Sequence, residues 1–422
     1  MGRFIYNLLL PIGFLFFLPG MIIKYRNRGG WKNTYNERFA HFGKRKDELK
    51  KFRGAIWIHA VSVGETVVAL SLIKRFLQRF PEQKFILSTT TTTGQDVARS
   101  KCPENTAVIF CPIDFPWMVR KTLRLLRPSK LVIFETEIWP NLITITANKK
   151  IPVYLVNARM SDHSAKGYRR FGKIFFAPLL KKFTLIMTQS EADAERFRSV
   201  SPQAKVQVCG NMKFDQQLPE LPEENVLHGY FGSDPDNVIM FAASTHPGEE
   251  EVVLENYTRL KQKFGNLKLA IVPRHAERGN DIAAMLEKAG VKFARRSSAK
   301  LPESETDVLL ADTTGEMLLL MNGADIVLMG KAFAGHDEGH NLIEPALLGK
   351  PVITGTTLRN FRFILRVLTE KNAVFCCRDE ELYPVLERLI ASKELREEFG
   401  KRAFDTINVH RGAADKTIDQ LV

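Results

Sequence analysis

The 422-residue chain lacks most of the strings that would name a chemistry outright. Its five cysteines (Cys102, Cys111, Cys209, Cys376 and Cys377) form no CxxC pair and no histidine-containing metal spacing, which argues against a disulfide framework and fits a reducing compartment. No GxGxxG or Walker A string follows an apolar run, so a dinucleotide oxidoreductase or a P-loop ATPase would lack its phosphate cradle. There is no short repeat and no low-complexity tract; the run Thr89–Thr93 reads as a strand end entering a loop. Negative charge is also short. Lys and Arg number 61 against 47 Asp and Glu, a net +14, which points to an anionic partner: nucleic acid, a membrane surface or a phosphorylated substrate. With 45% hydrophobic and 26% charged residues, the composition is globular and excludes a disordered chain or a multi-span membrane protein.

Long apolar runs are scarce as well, with one exception. Residues Phe4–Ile23 (FIYNLLLPIGFLFFLPGMII) carry no charge and are followed at once by KYRNR. Residues 1–53 hold 12 of the basic and 3 of the acidic residues, so +9 of the excess lies there. Twenty helical residues span roughly 30 Å, the thickness of a bilayer's hydrocarbon core. A cleaved signal would need a small-residue site after the run, where Lys24, Tyr25 and Arg26 stand instead. The expectation is a membrane anchor or re-entrant segment over 1–30, basic flank on the cytoplasmic side, separable from a domain whose first strand starts near Ala55.

From Ala55 the pattern alternates short apolar runs with amphipathic stretches. AIWIHAV, KFILSTTT, AVIFCPI, KLVIFET, IPVYLVNA, LIMTQS and VQVCG read as strands. A proline- and acid-rich break, QQLPELPEEN (216–225), follows, after which VIMFAAST, LKLAIVP, VKFARR, DVLLAD, IVLMG, PVITG and AVFCC restart the pattern. Continuous apolar runs separated by helices indicate parallel sheets covered on both faces. The chain therefore reads as α/β: two doubly wound Rossmann-like domains, 31–215 and 226–422, facing a central cleft, with a helical tail from Asp379 interrupted near Gly400 and Gly412.

Several strand ends carry polar residues. Glu65 closes HAVSVGE before a helix starting near Thr66, either at the mouth of the cleft or merely complementing the helix dipole. Glu135 and Glu137, in ETEIWPN, should point to the same side and must be solvated, catalytic or paired with Arg or Lys. NARMSDHSAKGYRRFGKIFFAPLLKK (157–182) holds seven cations against one aspartate, a solvated face or a surface for lipid phosphates. Lys213 lies in GNMKFD, where an amine could reach a phosphate. Pro273 ends the strand LKLAIVP, Arg274 and His275 stand just past it, and Thr314, Gly315 and Glu316 sit at a loop-to-helix junction. A glycine-flanked loop, GHDEGHNLIE, leads into a helix with Asn341 placed to cap it and Glu344 placed to grip a ribose diol. His336 and His340 are four apart, but HDEGH is not HExxH and Gly339 argues against a helix.

Taken in order, HAVSVGE, ETEIWPN, NARMSDHSAKGYRRF, GNMKFD, PRHAER, DTTGEM and GHNLIEPALLGKPV resemble the 3-deoxy-D-manno-octulosonic acid (Kdo) transferases of lipopolysaccharide synthesis, across essentially the whole chain. The resemblance implies a GT-B glycosyltransferase that moves Kdo from CMP-Kdo to the lipid A precursor at the cytoplasmic face of the inner membrane, with inversion, no cofactor and no metal. It implies Glu65 as general base and Glu135 and Lys213 as stabilisers of the transition state. It implies CMP binding by Pro273, Arg274, Thr314, Gly315, Glu316, Asn341, Leu342, Ile343 and Glu344. The loop TGTTLRNFR (354–362) departs from the family pattern, which is shorter and contains histidine, and no role rests on it.

The competing readings are a GT-B transferase with another donor, a nucleotide-sugar epimerase of the same fold, and a nucleic-acid-binding protein. The lipophilic N-terminus argues against the epimerase, and the placement of the basic excess beside it argues against nucleic acid.

Overall fold

The computed structural model describes residues 2–26, 36–170, 172–298, 302 and 306–422, and omits the side chains of 17–26 and 173. Part of the basic flank, including Arg28 and Lys32, therefore lies outside the described residues. The chain divides into two compact units, Met1–Asp215 with Arg411–Val422, and Gln216–His410.

The first unit is built on a parallel sheet of β1 (Ile56–His59), β2 (Phe85–Thr89), β3 (Thr106–Phe110), β4 (Lys130–Phe134), β5 (Val153–Ala158), β6 (Leu185–Thr188) and β7 (Val206–Val208). Its order is β3-β2-β1-β4-β5-β6-β7. The second unit carries β8 (Val238–Thr245), β9 (Leu267–Pro273), β10 (Phe293–Arg295), β11 (Val308–Leu310), β12 (Ile326–Met329), β13 (Val352–Thr354) and β14 (Phe375–Cys376), ordered β10-β11-β9-β8-β12-β13-β14. Every apolar run read as a strand becomes one. β1, β2, β8 and β9 are buried along their whole length, which is why their sequences are continuous rather than alternating. In each sheet the order switches direction at the centre, between β1 and β4 and between β8 and β12, and the second sheet also has β11 inserted between β9 and β10. Helices leave opposite faces at such a point, which opens a crevice at the carboxyl ends of the strands.

Two expectations about the tail are corrected. Gly400 lies inside the helix Lys393–Val409, and the break falls at Ser392, whose hydroxyl caps Leu395 N–H. A side chain at position 400 would meet the Gly349 carbonyl at 1.9 Å, so glycine serves close packing there, not termination. Nor does the whole tail belong to the second domain. Beyond Gly412 the helix Ala413–Leu421 packs on the first unit, where Asp215 accepts the N–H groups of Gly412 and Ala414, and Arg75 holds Asp415 at 3.0 Å.

The N-terminal run forms one helix, α1 (Gly2–Arg26), despite its prolines. It packs against the first unit. Arg3 Nε donates to Asn141 Oδ1 (2.9 Å), Asn141 Nδ2 to Asn7 Oδ1 (2.6 Å), and the Tyr6 hydroxyl to Asp114 Oδ2 (3.0 Å). Phe14 packs edge-on against Phe39 and Phe115. These residues share one helix face. The opposite face leaves Phe4, Ile5, Leu8, Leu9, Ile12, Leu15 and Phe16 exposed. Among the described residues no helix is long and apolar enough to cross a membrane.

Candidate active site

The first unit gathers carboxylates at its reversal point. Helix α2 (Val63–Arg79) starts directly after β1, and Ser62 caps it by accepting Glu65 N–H. Glu65 returns the contact: Oε1 accepts the Ser62 hydroxyl (2.9 Å) and Oε2 accepts Val61 N–H (2.8 Å). This reciprocal cap fixes the side chain at the strand end. Burial pushes the Glu65 pKa above the ordinary carboxylate value, and the Glu135 charge adds to it against the pull of the Val61 and Ser62 hydrogen bonds.

Glu135 follows β4 with φ 53°, a left-handed conformation costly for a side chain that carries a Cβ. Its Oε2 accepts Arg159 Nε at 2.9 Å and its Oε1 lies 4.0 Å from Lys213 Nζ. The ion pair considered from sequence is therefore present, and it joins two of the expected site residues, Glu135 and Lys213. Glu137 is the third acid. Burial first, then the Glu65 charge, raise it to about 7, while the Trp139 indole donates to its Oε2 at 3.2 Å. Sequence reading paired Glu137 with Glu135 but gave it no role. Asp114 was missed altogether. Held at about 6 mainly by burial, it accepts the N–H groups of Asn141 (2.9 Å) and Leu142 (2.7 Å) at the start of helix α3 (Pro140–Asn148). The same carboxylate takes the Tyr6 hydroxyl, so α1, α3 and the loop after β3 are tied through it.

The second unit has a different chemistry at the equivalent place. Arg274, exposed just past β9, donates its N–H to the Thr245 carbonyl (3.0 Å) at the end of β8. Thr314 and Gly315 are exposed, whereas Glu316 is engaged by Arg296 (2.6 Å) and Thr313 (2.6 Å). The Arg296 guanidinium holds the Glu316 pKa below its usual value. The N-cap is Leu342 rather than the expected Asn341, which lies one residue earlier and accepts Ile343 N–H at its Oδ1 (3.1 Å). Glu344 stands in the first turn of the short helix Ile343–Leu347, and its Oε1 accepts the side-chain N–H groups of Gln216 (2.8 Å) and Asn341 (3.2 Å). Leu342 and Ile343 are buried at 0% and 1% exposure and Pro273 is buried too, so none of the three presents a side chain to a ligand. HDEGH lies in a loop, where Gly339 has φ 70° and a Cβ would meet Leu358 at 2.4 Å.

Sequence reading also missed Glu249. It is 1% exposed at the start of the helix Glu249–Lys261. One oxygen accepts the N–H groups of His246 (2.8 Å) and Lys331 (2.7 Å), the other those of Ala332 and Phe333 (both 2.9 Å). This carboxylate fastens the loop after β8 to the loop after β12. Ser244 (φ 54°) and Lys331 (φ 61°) flank it in the same strained backbone region that Glu135 occupies in the first unit. Strained, over-determined backbone at strand ends is a mark of functional sites.

The family described as 3-Deoxy-D-manno-octulosonic-acid transferase (kdotransferase) matches residues 33–216. A 3-deoxy-D-manno-octulosonic acid transferase of Haemophilus influenzae is 34% identical over 373 residues, covering 87% of this chain and 86% of its own. Among solved structures, a glycosyltransferase of Rickettsia africae superposes with TM-score 0.56 at 12% identity, covering 87% of this chain and 97% of its own. The UDP-GlcNAc 2-epimerase of Neisseria meningitidis bound to UDP-GlcNAc superposes with TM-score 0.54 at 15% identity, covering 87% and 99%. The fold is thus GT-B type and shared by transferases and epimerases, so it does not choose between them. The sequence relationship does: this chain belongs to the 3-deoxy-D-manno-octulosonic acid transferase family of glycosyltransferases.

Proposed function

We propose that the protein transfers Kdo from CMP-Kdo to the lipid A precursor with inversion, Glu65 acting as general base. The observation that carries this reading is the carboxylate held at the end of β1 with its pKa raised by burial. An inverting transfer requires a base that takes the acceptor hydroxyl's proton while the new C–O bond forms at the anomeric carbon. The bond from that carbon to the phosphate oxygen breaks, and its electron pair leaves on CMP. A carboxylate fixed by two hydrogen bonds keeps lone pairs for an acceptor hydroxyl, and a raised pKa makes it the better base. Glu135, balanced by Arg159 and Lys213, adds a fixed charge pattern beside it. In the second unit, Arg274, the Thr314–Glu316 turn, Asn341 and Glu344 would hold CMP, the last two on the ribose.

The acceptor carries acyl chains, and the first unit offers an apolar surface to match. Besides the outer row of α1, Trp117 and Ile174 are exposed, and Tyr6 meets Phe175 at 6.2 Å. Lys166, Arg169, Lys181 and Lys182 are exposed on the adjoining 162–182 segment. We read α1 as a helix lying in the interface of the inner membrane's cytoplasmic leaflet, one face on the protein and one in lipid. The test of the base is Glu65→Gln. It should fold and bind CMP but lose transfer by roughly 10²–10⁴-fold, the usual worth of general acid–base catalysis. Near-normal turnover would remove Glu65 from the mechanism.

A further inference from the structure

Four imidazoles meet at the reversal point of the second sheet. His246 follows β8, His275 follows β9, and His336 and His340 lie in the loop after β12. The His246 and His340 rings lie 22° apart in plane with centroids at 5.3 Å, and their Nε2 atoms are 3.1 Å apart. The His336 and His275 rings stand 5.6 and 6.0 Å from His246. Two ring nitrogens at hydrogen-bond distance share one proton: one donates N–H and the other offers its lone pair. The surroundings are cationic. Lys331, His336, His275 and Arg278 act on His246; His246, Arg274 and Lys331 act on His340, with Glu338 opposing.

The nearby carboxylates are already committed. Glu249 takes four main-chain N–H groups, Glu250 takes Arg278 (2.7 Å), Glu338 stands 3.8 Å from Lys331, and Glu277 stands 3.5 Å from His275. Burial, then these neighbouring charges, hold both His246 and His340 at about 4, so the pair is uncharged at neutral pH. Among the described residues no three His, Cys, Asp or Glu side chains group as a metal site. A neutral imidazole pair ringed by cations is a site short of an anion.

We propose that the His246–His340 pair is an oxyanion receptor that takes up one proton when an acidic ligand's phosphate or carboxylate oxygen arrives. The incoming charge offsets Lys331, Arg274 and Arg278, so the second proton is held as a shared N–H⁺···N bridge facing the anion. His246 and His340 are thereby positioning residues for the ligand's acidic group, and binding is linked to pH through them. The choice of CMP as probe rests on the donor reading above; the receptor itself does not.

The experiment is calorimetric titration of the full chain at pH 7.5 with CMP, inorganic phosphate, free Kdo and cytidine, in buffers of differing ionisation enthalpy. Wild type should take up close to one proton with CMP or phosphate, or with Kdo if the carboxylate is the group received, and none with cytidine. His246→Asn and His340→Asn should abolish that uptake. Where one proton is linked to binding, affinity falls about tenfold per pH unit above neutrality, and this slope should vanish in both variants. Uptake with phosphate while CMP fails to bind would leave the receptor standing and overturn the CMP donor reading. No uptake with any of the three anions in wild type, or uptake unchanged in both variants, overturns the proposal.

Discussion

The two sheets present the same topological feature with opposite chemistry. At the reversal point of the first, Glu65, Glu135 and Glu137 raise the proton affinity of Glu65 and Glu137 by burial and mutual repulsion. At that of the second, His246 and His340 lose proton affinity through burial and a ring of cations. On the two proposals above, one fold would prepare a proton acceptor in one half and an anion receptor in the other. The difference lies entirely in the loops after homologous strand positions, which is where a doubly wound sheet leaves room for it.

The most damaging way to break this contrast is to remove the clamp that holds the second site together. Glu249→Ala leaves four buried or half-buried N–H groups without an acceptor, at about 1–3 kcal/mol for each one left dry. Thermal unfolding should fall sharply and CMP binding should be lost; a variant with wild-type melting and affinity would show that the loops hold themselves. Next in size is Arg274→Ala, together with Glu344→Ala, each expected to weaken CMP binding in direct titration while acceptor association stays intact. Reduced acceptor binding in either would mean that the chemistry is not divided between the two sheets.

A subtler test sharpens the acidic half. Glu65 must be ionised to act as base, so turnover should fall as pH drops through its raised pKa. Glu135→Gln removes the like charge that acts on Glu65, which favours ionisation of Glu65 and should move the acid limb of the kcat/KM profile to lower pH. An unmoved or upward-shifted limb would uncouple the two carboxylates. Smaller still is Tyr6→Phe, which deprives Asp114 of one hydrogen bond and should cost about 0.5–1.5 kcal/mol by denaturant titration. A cost of zero would mean that α1 rides on the domain without supporting it. The smallest expected effect is none: chelation with EDTA should leave turnover unchanged, and loss restored by a divalent ion would overturn the metal-free expectation.

What the sequence made legible follows from range. Each strand is a short apolar run between breakers, a local signal, and all fourteen were readable. So were acids and cations at strand ends, because topology alone sends those positions toward the crevice. Partnerships were not readable. Nothing local joins His246 to His340, Glu249 to the amides of Lys331–Phe333, or Asp114 to Tyr6 and Asn141. In α1 the apolar run drew attention to the exposed side, whereas Arg3, Tyr6 and Asn7, which seat the helix on the protein, looked like interruptions.

The return of Arg411–Val422 to the first unit bears on how the protein is made. Ala413, Ala414, Ile418 and Leu421 complete the apolar layer containing Ile56, Leu72 and Phe85, and the Lys130 amine reaches the Leu421 carbonyl. Residues 216–410 leave the ribosome before these do. The second unit can thus reach its native form while the first still exposes one flank of its core. Until the Ala413–Leu421 helix docks, that flank is a surface for chaperones or for aggregation.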